Sequence, residues 1–352
     1  MAYTTIDKPD DYFNTILWTG DGTSSRSLTG VNFQPDWTWI KRRSDAQAHS
    51  ITDSVRGVTK SLRSDSGGAE DTSNANGYLS SFDTDGFTVA KGSDPSRTNT
   101  SSATYVAWNW LADGTASSNS DGSITSSVSA NTTSGFSVLT FTGTGSNATV
   151  GHGLGVAPKL VIVKRRPGTQ SWRVGCDAIG WGNVLYLNES DGTSAVATAF
   201  QSTAPTSSVF SVGTDTGVNG SGDSSIAYCF AEKKGYSKIG SYTGNGSADG
   251  TFVYTGFKPA FVMIKNTGST HDWWMLDNKR DVDNPTNARL RANSTSADDS
   301  AGNSHDFLSN GFKLRTSGSA DVNESSATMV YMAFAENPLV ANVSGGIPAT
   351  AR

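Results

Sequence analysis

Apolar residues in this chain come in runs of four to six, and no segment keeps a 3.6-residue apolar period over three turns. That pattern predicts short strands, with at most a single helical turn in a loop. Three of the runs are copies of one another. Trp37-Thr38-Trp39-Ile40, Leu160-Val161-Ile162-Val163 and Phe261-Val262-Met263-Ile264 each begin two residues after a proline (Pro35, Pro158, Pro259) and end at a lysine (Lys41, Lys164, Lys265). Upstream stand Thr19-Gly20-Asp21-Gly22, Thr142-Gly143-Thr144-Gly145 and Thr243-Gly244-Asn245-Gly246; the Thr-to-Pro spacing is 16 and the Pro-to-Lys spacing is 6 in every copy. A repeat of this length divides the chain into three modules.

The elements that follow each run recur in order and support one another. Ser50-Ile51-Thr52-Asp53 is answered by Trp172 to Asp177 and by Trp273 to Asp277. Leu62 is answered by Leu185 and Leu290, and Phe87 by Phe210 and Phe312. Closing strands lie at Tyr105 to Trp110, Ala227 to Ala231 and Val330 to Ala335, with Pro-to-Tyr distances of 70, 70 and 72. Residues 1–11 form a polar lead-in, 12–114, 135–235 and 236–337 the modules, and 338–352 a C-terminal tail. Residues 115–134, almost wholly small and polar, read as a flexible linker with one short strand near Ile124. Short strands with Gly, Asn and Asp turns between them describe an all-β chain of three tandem antiparallel β-sandwich, jelly-roll-like modules.

Composition fits this. Apolar residues are 35% of the 352, with 38 glycines, a balance that favours many turns over helices. The net charge of −5 argues against a general nucleic-acid binder. The N-terminus lacks a signal pattern and no apolar stretch approaches 18 residues, so the chain is expected to fold in a cytoplasm without membrane insertion. Two cysteines, Cys176 and Cys229, are too few for a disulfide framework; they read as buried free thiols, or as a pair bonded later outside a cell.

Candidate chemistry is sparse. Thr-Gly-x-Gly is followed by an extended segment rather than a helix, so it reads as a glycine-rich hairpin turn and not a phosphate loop. The three lysines are either solvated strand ends or partners of Asp53, Asp177 and Asp277 across module boundaries. Asp83-Thr84-Asp85, Asp281-Val282-Asp283 and Asp298-Asp299 lack the rest of a calcium loop and read as turn residues. His49, His152, His271 and His305 are scattered without metal-ligand spacing. No nucleophile–histidine–acid grouping is suggested by local pattern, so no catalytic residue, metal or cofactor is expected. Tryptophans are the remaining candidates. On strands, Trp37 shares a face with Trp39 and Trp108 with Trp110, while Trp273 and Trp274 point to opposite faces. These six rings either fill cores or stand exposed as a surface for sugars or another subunit.

Several stretches resemble structural proteins of marine tailed bacteriophages of the tail-fibre kind: Ile6-Asp7-Lys8-Pro9-Asp10-Asp11-Tyr12-Phe13-Asn14-Thr15, Gly30-Val31-Asn32-Phe33-Gln34-Pro35-Asp36, Asp53-Ser54-Val55-Arg56-Gly57, Phe82-Asp83-Thr84-Asp85-Gly86-Phe87, Tyr105 to Trp110, and Gly346 to Arg352. The likeness covers nearly the whole chain and carries no catalytic residue. It implies a virion component, at the tail or on the capsid, assembled in the host cytoplasm. The implied partners are other virion proteins, further copies of the chain in a homo-oligomer, and a host-surface glycan; a capsid decoration protein and a lectin-like module are the alternatives. The polar ends, 1–11 and 338–352, are the expected attachment segments.

Overall fold

The computed structural model describes residues 3–342 and 346–350, and it is all-β, with every strand-to-strand pairing antiparallel and helices of a single turn only. In the first repeat, β1 (Phe13–Thr19), β2 (Ser25–Thr29), β3 (Trp37–Arg42), β4 (Ser50–Asp53), β5 (Tyr78–Asp83), β6 (Gly86–Ala90) and β7 (Thr104–Trp110) form sheets ordered β1-β7-β3-β4 and β2-β6-β5. The second comprises β8 (Ser117–Asn119), β9 (Ser126–Asn131), β10 (Phe136–Thr142), β11 (Ala148–Gly151), β12 (Leu160–Arg165), β13 (Arg173–Cys176), β14 (Asn183–Tyr186), β15 (Ser194–Ala195), β16 (Val209–Val212) and β17 (Ser224–Phe230). Its large sheet runs β15-β14-β13-β12-β17-β10-β9-β8, beside a β11-β16 ribbon. In the third, β18 (Ser237–Thr243), β19 (Phe252–Tyr254), β20 (Phe257–Asn266), β21 (Trp274–Asp277), β22 (Thr286–Arg291), β23 (Asp299–Leu308), β24 (Gly311–Leu314) and β25 (Thr328–Pro338) share one sheet, β18-β25-β20-β21-β22-β23-β24-β19. That sheet curls into a nearly closed barrel, its edges meeting where Thr251 Oγ1 donates to Thr243 O over 2.7 Å.

The same four-strand order, first-last-third-fourth, recurs as β1-β7-β3-β4, β10-β17-β12-β13 and β18-β25-β20-β21. Its register corrects one alignment made from sequence. Trp110, Phe230 and Phe334 lie opposite Trp37, Leu160 and Phe261. Trp108, Tyr228 and Met332 are therefore counterparts, and the near-constant distance to Tyr105, Tyr228 and Tyr331 is a coincidence of differing loop lengths.

Each central strand is buried on both faces, which explains why its sequence reads as a continuous apolar run. Trp37 and Trp39, Leu160 and Ile162, and Phe261 and Met263 all face one core common to the three repeats. Ile40, Val161 with Val163, and Val262 with Ile264 face the opposite way, into a separate core within each repeat. The common core is aromatic at its centre: Trp110 and Phe230 have ring centroids 5.6 and 6.0 Å from Phe334, and Trp37 stacks 4.5 Å from Tyr228.

Around this core the repeats close a ring by the same pair of backbone bonds used three times. Gln47 N donates to Thr295 O and Asp298 N to Arg43 O; Gln170 N donates to Gly67 O and Glu70 N to Arg166 O; His271 N donates to Ser190 O and Thr193 N to Thr267 O, all at 2.7–2.9 Å. The first repeat thus holds the third, the second the first, and the third the second.

The Thr-Gly-x-Gly loops differ from the expected hairpins. β1 does not pair with β2, nor β10 with β11, nor β18 with β19. Each loop instead crosses over and is clasped by a buried asparagine: Gly22 N, Gly145 N and Gly246 N donate to the carbonyls of Asn99, Asn219 and Asn323 at 2.9–3.0 Å. The preceding N–H donates to the same residue's Oδ1 at 2.8–3.1 Å. A Cβ on Gly20, Gly143 or Gly244 would lie 2.0–2.3 Å from a backbone oxygen, so only glycine fits.

Residues 115–134 are not a loose linker. β8 and β9 extend the second repeat's sheet, β9 pairing with β10 from Asn131↔Phe136 to Ser126↔Phe141. Limited proteolysis is accordingly expected to spare this segment under native conditions, which mass spectrometry of the first fragments reads directly; early cleavage there would contradict the pairing. The chain ends are also tied down where described: Asn342 N donates to Asp7 Oδ1 and Tyr3 N to Asn342 Oδ1. Residues 1–2, 343–345 and 351–352 of the expected attachment segments lie outside the described residues.

Candidate functional site

All six candidate tryptophans are inside. Trp37, Trp39, Trp108 and Trp110 are 0–1% exposed, as is Trp274, and Trp273 is 2%. Trp273 faces the common core and Trp274 the third repeat's own, opposite faces as period two requires. Their expected alternative role as an exposed sugar platform is therefore corrected: both faces of each central strand are covered, one of them by a neighbouring repeat.

Several of these rings fasten the junctions. His49, Trp172 and Trp273 occupy one repeat position, eight residues after the lysine, and all three reach a neighbour's carbonyl. His49 Nε2 donates to Arg291 O (3.0 Å), Trp172 Nε1 to Arg63 O (2.9 Å) and Trp273 Nε1 to Tyr186 O (2.9 Å). The lysines are neither solvated nor paired with Asp53, Asp177 or Asp277. Lys41, Lys164 and Lys265 are fully buried, and their ammonium groups donate to carbonyls: Lys41 to Thr295 O, Lys164 to Arg165 O, Lys265 to Ser190 O. Burial pushes all three down to about 8.

Two junctions carry a buried charge relay. Asp53 Oδ2 accepts from Arg56 Nε (2.6 Å) and from Tyr228 Oη (2.8 Å) of the second repeat; Arg56 Nη1 reaches Glu70 (3.0 Å), which Arg166 of the second repeat also grips (2.8 Å). The third repeat repeats this with the first: Asp277 Oδ2 accepts from Arg280 Nε (2.6 Å) and Trp108 Nε1 (3.0 Å), and Arg280 reaches Asp298, which Arg43 grips (both 2.9 Å). At the remaining junction the same positions are Cys176, Ile179, Met332, Thr193 and Thr267, without a charge. Asp177, grouped with Asp53 and Asp277 as a candidate partner for the lysines, lies one position past the true counterpart, Cys176, and pairs with Lys159 instead. Both cysteines are buried and unbonded; burial pushes the Cys176 thiol up to about 11 and that of Cys229 higher.

The fold does make one grouping that local pattern does not suggest. Ser269 Oγ lies 2.9 Å from His271 Nε2, and His271 Nδ1 lies 3.1 Å from Asp321 Oδ1. Glu324 competes for the same Nε2 at 3.5 Å. The other repeats tie this loop to the segment before the last strand with Arg42 on Thr100 and Arg165 on Asp223, so the histidine serves the third repeat as the same kind of clamp. Among the described residues no group of three His, Cys, Asp or Glu side chains is placed to hold a metal ion.

The surface offers a different candidate. Of the aromatic side chains among the described residues, only Phe252 (43%) and Tyr254 (55%) are exposed. They share the outer face of β19, an edge strand paired only with β24, while Val253 between them is buried. Opposite the common Phe312, Phe210 and Phe87 stand Val253, Val150 and Leu28. The counterparts of Phe252 and Tyr254 are thus Ser27 and Thr29 in the first repeat, Thr149 and Gly151 in the second. Tyr254 borders a cleft of about 290 Å³ formed with Tyr3, Glu232, Lys234 and Lys238. Tyr3 is seated there by its hydroxyl on Gly256 O (2.6 Å) and by Lys234 Nζ, 4.6 Å from its ring centroid; burial and the Tyr254 hydroxyl push it up to about 12.

A family model described as Domain of unknown function (DUF7483) matches residues 8–338. The chain belongs to that family. No curated protein and no solved structure matches it. The matched span takes in all three repeats and every junction bond above. Within it lie Lys234, Phe252 and Tyr254; Tyr3 precedes it.

Proposed function

We propose that the chain is a structural component of a bacteriophage particle, a tail-fibre or tail-associated protein that presents three sandwich-like β modules for attachment to the host surface. The observation that supports this most is where the aromatic residues go. The repeats use them on one another, in a common core and in a ring of identical backbone bonds, which makes a stiff block suited to being built into a larger assembly. The likeness of the opening and internal motifs to tail-fibre proteins points the same way. Other virion proteins and further copies of the chain are its partners, since symmetric homo-oligomers are the common form of such assemblies. Antibody labelling of intact virions, read by electron microscopy, tests the reading. Label at the tail is the expected result. Label spread over the head would replace it with capsid decoration, and particles without label would end both.

A further inference from the structure

We propose that the cleft between Tyr254 and Lys234 binds an acidic sugar, a uronate residue of a surface polysaccharide. The inference rests on the host-attachment reading and names the ligand class that reading leaves open. A chain that buries almost every ring leaves two exposed side by side, on β19 and in one repeat only, where the other repeats carry Ser, Thr and Gly. Relaxed drift at a surface position does not explain the rest of the construction. Gly256, with positive φ (+83°), lines the cleft, where a Cβ would lie 2.9 Å from Tyr3 Oη, and Gly235 (φ +78°) lets the connection pack on the lead-in, where a Cβ would lie 2.9 Å from Thr4 Cβ. The lead-in, the connection between the second and third repeats and the β19 turn therefore converge on one place, with Tyr3 locked into it.

The chemistry selects the occupant. The C–H face of a pyranose stacks against an aromatic ring, because its weakly positive hydrogens meet the ring's negative face. Charge then decides between sugars. Lys238 is paired with Glu232 at 3.5 Å, whereas Lys234 lies over the Tyr3 ring and has no carboxylate within ion-pair distance among the described residues. In a chain of net charge −5, an unneutralised ammonium beside an open aromatic face suits a carboxylate-bearing sugar. A second protein is a poorer fit. A stable interface takes about 800 Å² and 20–30 residues a side, and here the exposed apolar part is two residues; β19, three residues long, is too short to template a strand from another copy.

The test is calorimetric titration of the full chain with oligogalacturonate, with a neutral dextran oligomer of similar length as control. Binding to the uronate alone is expected. Tyr254→Ala and Lys234→Gln should each weaken it by about tenfold or more, with the fold retained because both side chains are exposed, and added salt should weaken the wild type. Uronate binding that survives Tyr254→Ala would overturn the site. Equal binding of dextran, untouched by Lys234→Gln, would overturn the acidic class. No binding of either, or a concentration-dependent dimer lost in Tyr254→Ala, would overturn the proposal as a whole. These readings need only the isolated chain, so they stand or fall separately from the place of the protein on a virion.

Discussion

Replacing Asp53 with alanine is expected to destabilise the protein by about 3 kcal/mol, because it breaks a buried ion pair and leaves the Arg56 guanidinium with Glu70 as its one carboxylate. Arg56 and Asp53 have fully buried side chains, and the loss also leaves Tyr228 Oη of the neighbouring repeat without its acceptor. Asp277→Ala should match it, since Arg280 is equally buried and Trp108 Nε1 loses the same support. Cys176→Ala, at the counterpart position, should cost only about 1–2 kcal/mol for a small cavity. The internal repeat also supplies the rescue. Asp53→Cys with Arg56→Ile and Tyr228→Met copies the uncharged positions Cys176, Ile179 and Met332, and should recover most of the loss, because replacing both members of a buried ion pair by apolar groups is often near neutral and Glu70 keeps Arg166 as its partner. Urea denaturation of the four variants measures this. Equal effects of Asp53→Ala and Cys176→Ala would show that the relay contributes nothing beyond packing.

How much of this is legible in the sequence depends on distance along the chain. The repeat, the prolines before the central strands and the all-β character are readable, because each rests on residues within about twenty positions of one another. The continuous apolar runs also carry the information that both faces are buried. What they do not carry is the identity of the second covering surface. Trp37 is covered by Tyr228 and Phe136 of another repeat, and nothing near Trp37 signals that, so sequence leaves the core and exposed readings both open. The lysines illustrate the same limit: Lys41 meets Thr295 O, a backbone atom whose approach depends on closure of the ring.

Residues 115–134 look like a linker for a compositional reason. Ser126-Ser127-Val128-Ser129-Ala130-Asn131 has the residues of one, yet Ser126, Val128 and Ser129 are buried where β9 packs beside β10. A strand of small side chains, here paired on both sides by β10 and β8, and a polar connector look alike until the pairing partners are known. The cleft is more legible than the fate of the tryptophans. Aligning the repeats through Phe87, Phe210 and Phe312 places Phe252 and Tyr254 where small or polar residues stand twice over. A departure from an internal repeat, like an uncharged junction beside two charged ones, is a signal that one sequence alone contains.

Acid should begin to destabilise the protein above the pH at which its ion-paired carboxylates titrate. His49 and His305 are fully buried, and burial pushes both down to about 3; His152 is lowered for the same reason. His49 is held neutral by its bonds: Nδ1 accepts from Trp39 Nε1 over 2.8 Å while Nε2 donates to Arg291 O, so a proton on Nδ1 would break the first. The folded values lie below the unfolded value of about 6.5. Above that pH these histidines are neutral in both states and their full contribution is present. As pH falls below it, the unfolded chain takes up protons that the native state refuses, and stability is lost by about 1.4 kcal/mol per pH unit for each histidine until pH reaches the folded values. His49 and His305 together give a slope of roughly 2.7 kcal/mol per unit between about pH 6 and 4.5, a window above the range where most carboxylates respond. Carboxylates held low by their partners, such as Glu70 and Asp299, add to the loss only below about pH 4.5. Urea midpoints at pH 7.5, 6 and 5 measure the slope. His49→Gln, which keeps a donor and an acceptor without a titrating ring, should be less stable at pH 7.5 yet show about half the slope. A wild type equally stable at pH 7.5 and 5 would mean that the buried imidazoles take up protons in place, and the junction at Arg291 would then have to be open to water.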